Sequence, residues 1–314
     1  MNTFASNPST HPAVRTEQLI LSAADSYRLV ANRYHSPTPA HAHLVMGGAT
    51  AVPQGFYKRF AEHAARRGFD VLTLDYRGIG QSAPATLKGF RMDYLDWGRL
   101  DLAAAVATMQ QPGVPLYLVG HSYGGHALGL LPEPDAVDGA YTFATGAGWH
   151  GWMPPLERLR VLFLWRVLGP VWTRMNGYLP WSQLGMGEDL PIDVYQQWRQ
   201  WCRFPRYFFD DPEMKTTTER FARVRFPIVA LNALDDAWAP PASRDAFMAG
   251  YCNAEVRSVT LDSHRAGLGA MGHMGYFRPK AQPLWNEALD WFTSLTQQRT
   301  AQATGAPVQE ACSL

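Results

Sequence analysis

The run Gly120-His121-Ser122-Tyr123-Gly124-Gly125 stands directly behind the apolar stretch Leu116-Tyr117-Leu118-Val119. A serine held between glycines two residues to either side, at the end of a buried strand, marks a turn so sharp that the hydroxyl is lifted clear of the sheet edge. Gly120 and Gly124 carry no Cβ where strand and following helix nearly touch, and the helix running on from Tyr123 directs its first amides at the same point. Such a hydroxyl is a weak nucleophile at neutral pH, so it needs a histidine to take its proton and a carboxylate to fix that histidine's tautomer. Downstream, Asn232-Ala233-Leu234-Asp235-Asp236-Ala237-Trp238-Ala239-Pro240 closes one apolar strand, and Gly272-His273-Met274-Gly275-Tyr276-Phe277 follows the last. Asp235 and Asp236 compete as the acid; His264 and His273 compete as the base. The chemistry of such a set is acyl transfer, whose transition state puts negative charge on a carbonyl oxygen and calls for two backbone N–H donors. Tyr123 supplies one, and the strand end Gly47-Gly48-Ala49-Thr50 is the place for the other.

Those side chains must be held by strands that end together. Residues 15–34 alternate apolar and polar about a turn near Ala24-Asp25-Ser26, the pattern of an antiparallel hairpin. Short apolar strands at 42–46, 70–74, 116–119 and 137–143 then alternate with helices at 56–67, 92–109 and 123–131. The rhythm stops between 146 and 221, a segment holding seven of the tryptophans and broken into short helices by Pro154-Pro155, Pro170 and Pro191. It resumes with strands at 226–231 and 255–261 and helices at 244–251 and 282–297. Continuous apolar strands alternating with helices imply an α/β fold, a mostly parallel sheet covered on both faces, with a helical insertion. The expected organisation is a disordered leader at 1–12, a core at 13–145 and 222–298, the insertion at 146–221 and a flexible tail at 299–314.

Composition narrows the classes. The chain of 314 residues is 46% hydrophobic and carries a formal net charge of +1 without a basic block, which argues against nucleic acid. Three scattered cysteines suit a reducing compartment, and the N-terminus lacks the apolar core of a secretory signal; a cytoplasmic location is expected. No metal-ligand spacing occurs, and Gly78-x-Gly80 lacks the third glycine of a dinucleotide fingerprint, so neither metal nor cofactor is expected. The apolar stretch 159–172 is short and interrupted by arginines, which reads as a buried or surface-lying helix; contact of that helix with a membrane surface is the lesser reading.

Taken together, the Gly47-Gly48 strand end, Asp75-Tyr76-Arg77-Gly78-Ile79-Gly80-Gln81-Ser82, the Ser122 turn and the acid and histidine loops resemble the α/β-hydrolase superfamily. The chain is similar to its serine-aminopeptidase-like and monoacylglycerol-lipase-like branch, and to bacterial α/β hydrolases with the Gly-Ala-Thr first loop. The resemblance implies an α/β-hydrolase fold whose insertion at 146–221 is a lid. It places the acid four residues before a proline, which selects Asp236 and leaves Asp235 to face solvent or cap its loop. The Gly-His-x-Gly-aromatic pattern selects His273. Counting back from Phe56 puts the second oxyanion donor at Ala49, with Gly48 and Thr50 as alternatives because the usual His-Gly-x-Gly is absent. Asp75 and Arg77 are implied to tie neighbouring loops together. The implied activity is that of a serine hydrolase cleaving a carboxylic ester with an apolar acyl or aromatic group, with Thr50, Trp149, Trp152 and Trp238 as substrate contacts. Alternatives are an aminopeptidase or amidase, which needs a carboxylate for the substrate amine (Glu157, Glu188, Asp189 or Asp193), an acyltransferase, or a non-catalytic binding protein of this fold.

Overall fold

The computed structural model describes residues 13–304. The expected leader at 1–12 and the last ten residues of the expected tail lie outside them. Ten strands are described: β1 (Arg15–Ser22), β2 (Arg28–His35), β3 (Ala42–Gly47), β4 (Phe69–Leu74), β5 (Leu116–His121), β6 (Gly139–Phe143), the two-residue β7 (Tyr178–Leu179) and β8 (Leu190–Pro191), β9 (Ile228–Ala233) and β10 (Val256–Leu261). The α-helices are α1 (Lys58–Arg66), α2 (Ala103–Met109), α3 (Tyr123–Ala127), α4 (Pro155–Phe163), α5 (Gly169–Asn176), α6 (Ile192–Trp201), α7 (Lys215–Thr218), α8 (Pro241–Met248) and α9 (Gln282–Thr304).

Eight strands form one sheet in the order β1-β2-β4-β3-β5-β6-β9-β10. β1, β2 and β4 pair antiparallel; every other pairing is parallel. β3 through β6 and β9 are buried along their whole lengths, as strands covered on two faces must be. One apolar layer joins the sheet to α1 and α9, the other to α2, α3 and α8. The chain moves outward from β3 to β4, then crosses back to place β5 on the other side of β3. Such a reversal of strand order opens a crevice at the carboxyl ends of the two strands. The loop after β3 and the turn after β5 meet there.

The hairpin β1–β2 turns at Ala24 and Asp25, closed by Ser26 N–H on the Ala23 carbonyl (2.8 Å), within the expected stretch. Other boundaries differ. Before α2 the chain is helical only from Trp97, through a π turn, so the expected helix at 92–109 starts late. α9 continues to Thr304, through part of the expected tail. The insertion is mostly short helices, but Pro170 does not break the chain: α4, a π-helical stretch over Leu164–Leu168 and α5 form one run from Pro155 to Asn176. Proline at this position lacks the N–H that would close a turn on Trp165. The freed Trp165 carbonyl accepts instead from the Tyr195 hydroxyl (3.3 Å) and Arg199 (3.4 Å) of α6. Among the described residues no helix is long and apolar enough to cross a membrane.

Candidate active site

Ser122 links β5 to α3 with φ 52° and ψ −109°, a backbone conformation few L-residues adopt. The structure over-determines it. Ser122 N–H donates to the Phe143 carbonyl (2.9 Å), while its own carbonyl accepts from Gly125 N–H and the Thr145 hydroxyl (3.0 Å each). A Cβ on Gly124 would stand 2.0 Å from the Gly47 carbonyl oxygen, so this glycine is what lets α3 settle against the end of β3.

His273 arrives from the long loop after β10. Its Nε2 lies 3.0 Å from Ser122 Oγ, and its Nδ1 lies 3.0 and 3.1 Å from the two Asp236 oxygens. An ionised carboxylate only accepts, so Nδ1 carries the proton and Nε2 is free to accept from the serine. Asp236 is completely buried. Burial works against its charge, but His273 beside it and the amides of Ala239 and Trp238 (3.0 Å each) outweigh that and hold its carboxyl below the usual range.

The neighbouring Asp235 has a different occupation. It accepts from the amides of Met271 (2.7 Å) and Gly272 (3.2 Å) and from Ser263 Oγ (3.3 Å), pinning the loop that carries His273. It caps the loop rather than touching the imidazole. His264 is exposed and does not line the cavity at Ser122. Asp75 accepts from Gln54 N–H (2.7 Å) and Gln81 N–H (3.0 Å), and Arg77 bridges Asp25 (2.6 Å) and Asp101 (2.7 Å), which ties neighbouring loops together.

The oxyanion loop corrects one expectation. Ala49 N–H already donates to Tyr57 Oη at 2.8 Å, so it is not available to a substrate. The Gly48 amide faces the buried Tyr76 phenol. The amide of Thr50 takes no protein acceptor among the described residues, and Thr50 lines the cavity beside Ser122. Tyr123 N–H, first in α3, has no intrahelical acceptor. Tyr57 passes the Ala49 contact on. Its hydroxyl donates to His121 Nδ1 (2.9 Å), and His121 Nε2–H donates to the His273 carbonyl (2.9 Å). Burial, with the repulsion of His273 whenever that ring is protonated, pushes the His121 pKa down to about 3, so the His121 ring stays neutral.

Ser122 and His273 open on a largely apolar cavity of about 260 Å³. Its aromatic walls are Trp181, Trp198 and Trp238. Trp238 and Thr50 line this cavity beside Ser122. Trp149 and Trp152 do not line this cavity: they pack edge to face on each other at 5.5 Å, and the Trp152 indole donates to the Pro205 carbonyl (2.8 Å). Trp181, Trp198, Met186 and His126 were missed as cavity residues. The aromatic density of 146–221 signals such a wall, but which of seven tryptophans face inward depends on helix packing that the sequence pattern does not encode. His126, one turn after Ser122 in α3, donates from Nε2 to the Gly146 carbonyl (2.9 Å), and burial lowers its pKa to about 4. No cluster of three or more His, Cys, Asp or Glu among the described residues could hold a metal ion.

The sequence model of the serine aminopeptidase S33 family matches residues 41–194, from β3 through the serine turn into α6. The chain belongs to the α/β-hydrolase superfamily. A soluble variant of monoglyceride lipase from Saccharomyces cerevisiae, solved with a substrate analogue, superposes with a TM-score of 0.62 at 13% identity, covering 94% of this chain and 99% of that one. A thermophilic esterase from Thermogutta terrifontis gives 0.55 at 15% identity, over 89% and 99%. The acylaminoacyl peptidase of Pyrococcus horikoshii gives 0.57 at 12% identity, over 90% of this chain and 42% of its own. At these identities the likeness is one of fold. No curated protein sequence matches this chain.

Proposed function

We propose that this α/β-hydrolase cleaves carboxylic esters with an apolar acyl or aromatic group, using Ser122 as nucleophile, His273 as base and then acid, and Asp236 to orient His273. The observation that carries the reading is the hydrogen-bonded series Ser122 Oγ, His273, Asp236 at the wall of an apolar cavity. Ser122 Oγ attacks the carbonyl carbon as its proton passes to His273 Nε2. The amides of Tyr123 and Thr50 hold the oxygen that gains the charge. Collapse of the tetrahedral intermediate expels the alcohol, which takes the proton from Nε2. Water then attacks the acyl-serine by the same route, releasing the acid and restoring Ser122. Residues 146–221 serve as the lid that shapes the cavity and limits water.

The carboxylates separate esterase from aminopeptidase chemistry. Glu157 accepts from the Trp238 indole (2.9 Å) and pairs with Arg160 (3.5 Å). Glu188 accepts from Gly80 N–H, Asp189 from Ser182, and Asp193 from Arg91. None lines the Ser122 cavity, so a substrate α-ammonium would be desolvated there without a partner. Labelling by a fluorophosphonate probe, abolished in Ser122→Ala, tests the nucleophile, and p-nitrophenyl esters beside aminoacyl arylamides test the substrate class. Hydrolysis of the arylamides in preference to the esters, or labelling that survives Ser122→Ala, overturns the reading.

A further inference from the structure

A second apolar cleft, of about 390 Å³, lies between the α4 run and residues 184–186. Phe163, Leu164, Leu168 and Leu184 form its sides, and two residues, Met186 and Trp238, wall both this cleft and the Ser122 cavity. The charged side chains bordering it, Glu157 and Arg160, pair with each other.

Phe163 of the cleft also belongs to an exposed apolar face. Leu156, Leu159, Phe163, Val167, Val171 and Met175 are each between 48% and 74% exposed. In a pure α-helix a four-residue spacing turns each successive side chain by about 40°. The π turn at 164–168 takes up an extra residue and cancels most of that drift, so the series stays on one side. Apolar surface of this extent is costly to leave in water and marks a contact.

Size decides what the contact is. A dry cavity of roughly 150 Å³ takes benzene, so 260 Å³ takes on the order of ten non-hydrogen atoms, leaving group included. A longer acyl group must leave the cavity, and the apolar cleft that shares Met186 and Trp238 with it is the adjoining space. We infer that this cleft is the distal half of the acyl site, holding the far end of a long unbranched acyl chain whose carbonyl sits at Ser122. The inference rests on the assignment of Ser122 as nucleophile. Each methylene moved from water into the cleft is then worth up to about fourfold in kcat/KM.

The test is a chain-length profile with p-nitrophenyl acetate, butyrate, octanoate and laurate on the full chain, on Leu184→Asp and on Phe163→Asp. Both positions are exposed, so the variants are expected to fold, which circular dichroism checks. The expected result is that kcat/KM rises from acetate to laurate in the wild type, and that each variant loses about tenfold or more on laurate while acetate stays within about twofold. A wild-type profile that falls beyond butyrate, or variants that lose acetate and laurate alike, overturns the inference and leaves the Ser122 reading standing. Absence of acetate hydrolysis together with absence of Ser122 labelling removes both. Cosedimentation with phosphatidylglycerol vesicles, with chain-length profiles unchanged in the variants, assigns the face to a lipid surface and likewise overturns it.

Discussion

Two adjacent carboxylates serve different loops, and substitution separates their roles. Asp236→Asn keeps the shape but can present its amide N–H to His273 Nδ1, favouring the wrong tautomer; kcat on a short ester should fall by about 10⁴. Asp235→Asn leaves the imidazole's partner in place and weakens the bonds to Met271 and Gly272. Its expected cost is about 1–3 kcal/mol of stability with a far smaller fall in kcat. Steady-state kinetics and urea denaturation on both variants check this, and equal losses of kcat would refute the division. The register of Asp236 to Pro240 carried that choice in the sequence. Whether Asp235 faces solvent or caps its loop was left open there, because two of its partners are backbone amides 36 and 37 residues away. Ala49 was misplaced for a similar reason: the phenol that occupies its N–H enters from the next helical turn, at Tyr57.

At the level of elements, the glycines around Ser122 are a packing requirement between β3, β5 and α3. Gly124→Ala would set a Cβ against the Gly47 carbonyl, a backbone atom that cannot rotate away. The expected loss is about 3 kcal/mol or more, read as a fall in the urea midpoint, with Gly55→Ala as a control for a Cβ added where nothing lies within 4 Å and φ is not positive. A midpoint shift no larger than the control's would count against the close approach. The parallel strands and the glycine turn were readable because burial on two faces leaves a continuous apolar run and the turn leaves no room for side chains. The α4–α5 run was not. Proline reads as a breaker, and only the π turn and the α6 donors that satisfy the Trp165 carbonyl keep the helix whole.

For the whole molecule, the buried histidines set the acid limit. His121 and His126 have folded pKa values of about 3 and 4 against 6.5 when free. Between about 4 and 6.5 the unfolded chain binds protons that the folded chain refuses, so stability is full above 6.5 and falls as the pH drops. Each histidine adds a slope of up to about 1.4 kcal/mol per pH unit within that window. Asp236, held low, adds its own loss only below its ordinary 3.8. Urea midpoints at several pH values should show the decline, and His126→Gln should lessen its slope by about one proton; an unchanged slope would exclude His126 as a source. Beyond stability, the bonds running from the Ala49 amide through Tyr57 and His121 to the His273 carbonyl all point the same way, joining the loop after β3 to the loop after β10. Positions 57 and 121 therefore behave as one heritable unit: if either drifts alone, a buried donor or acceptor is stranded, so lineages descending from this protein are under pressure to change them together or keep both.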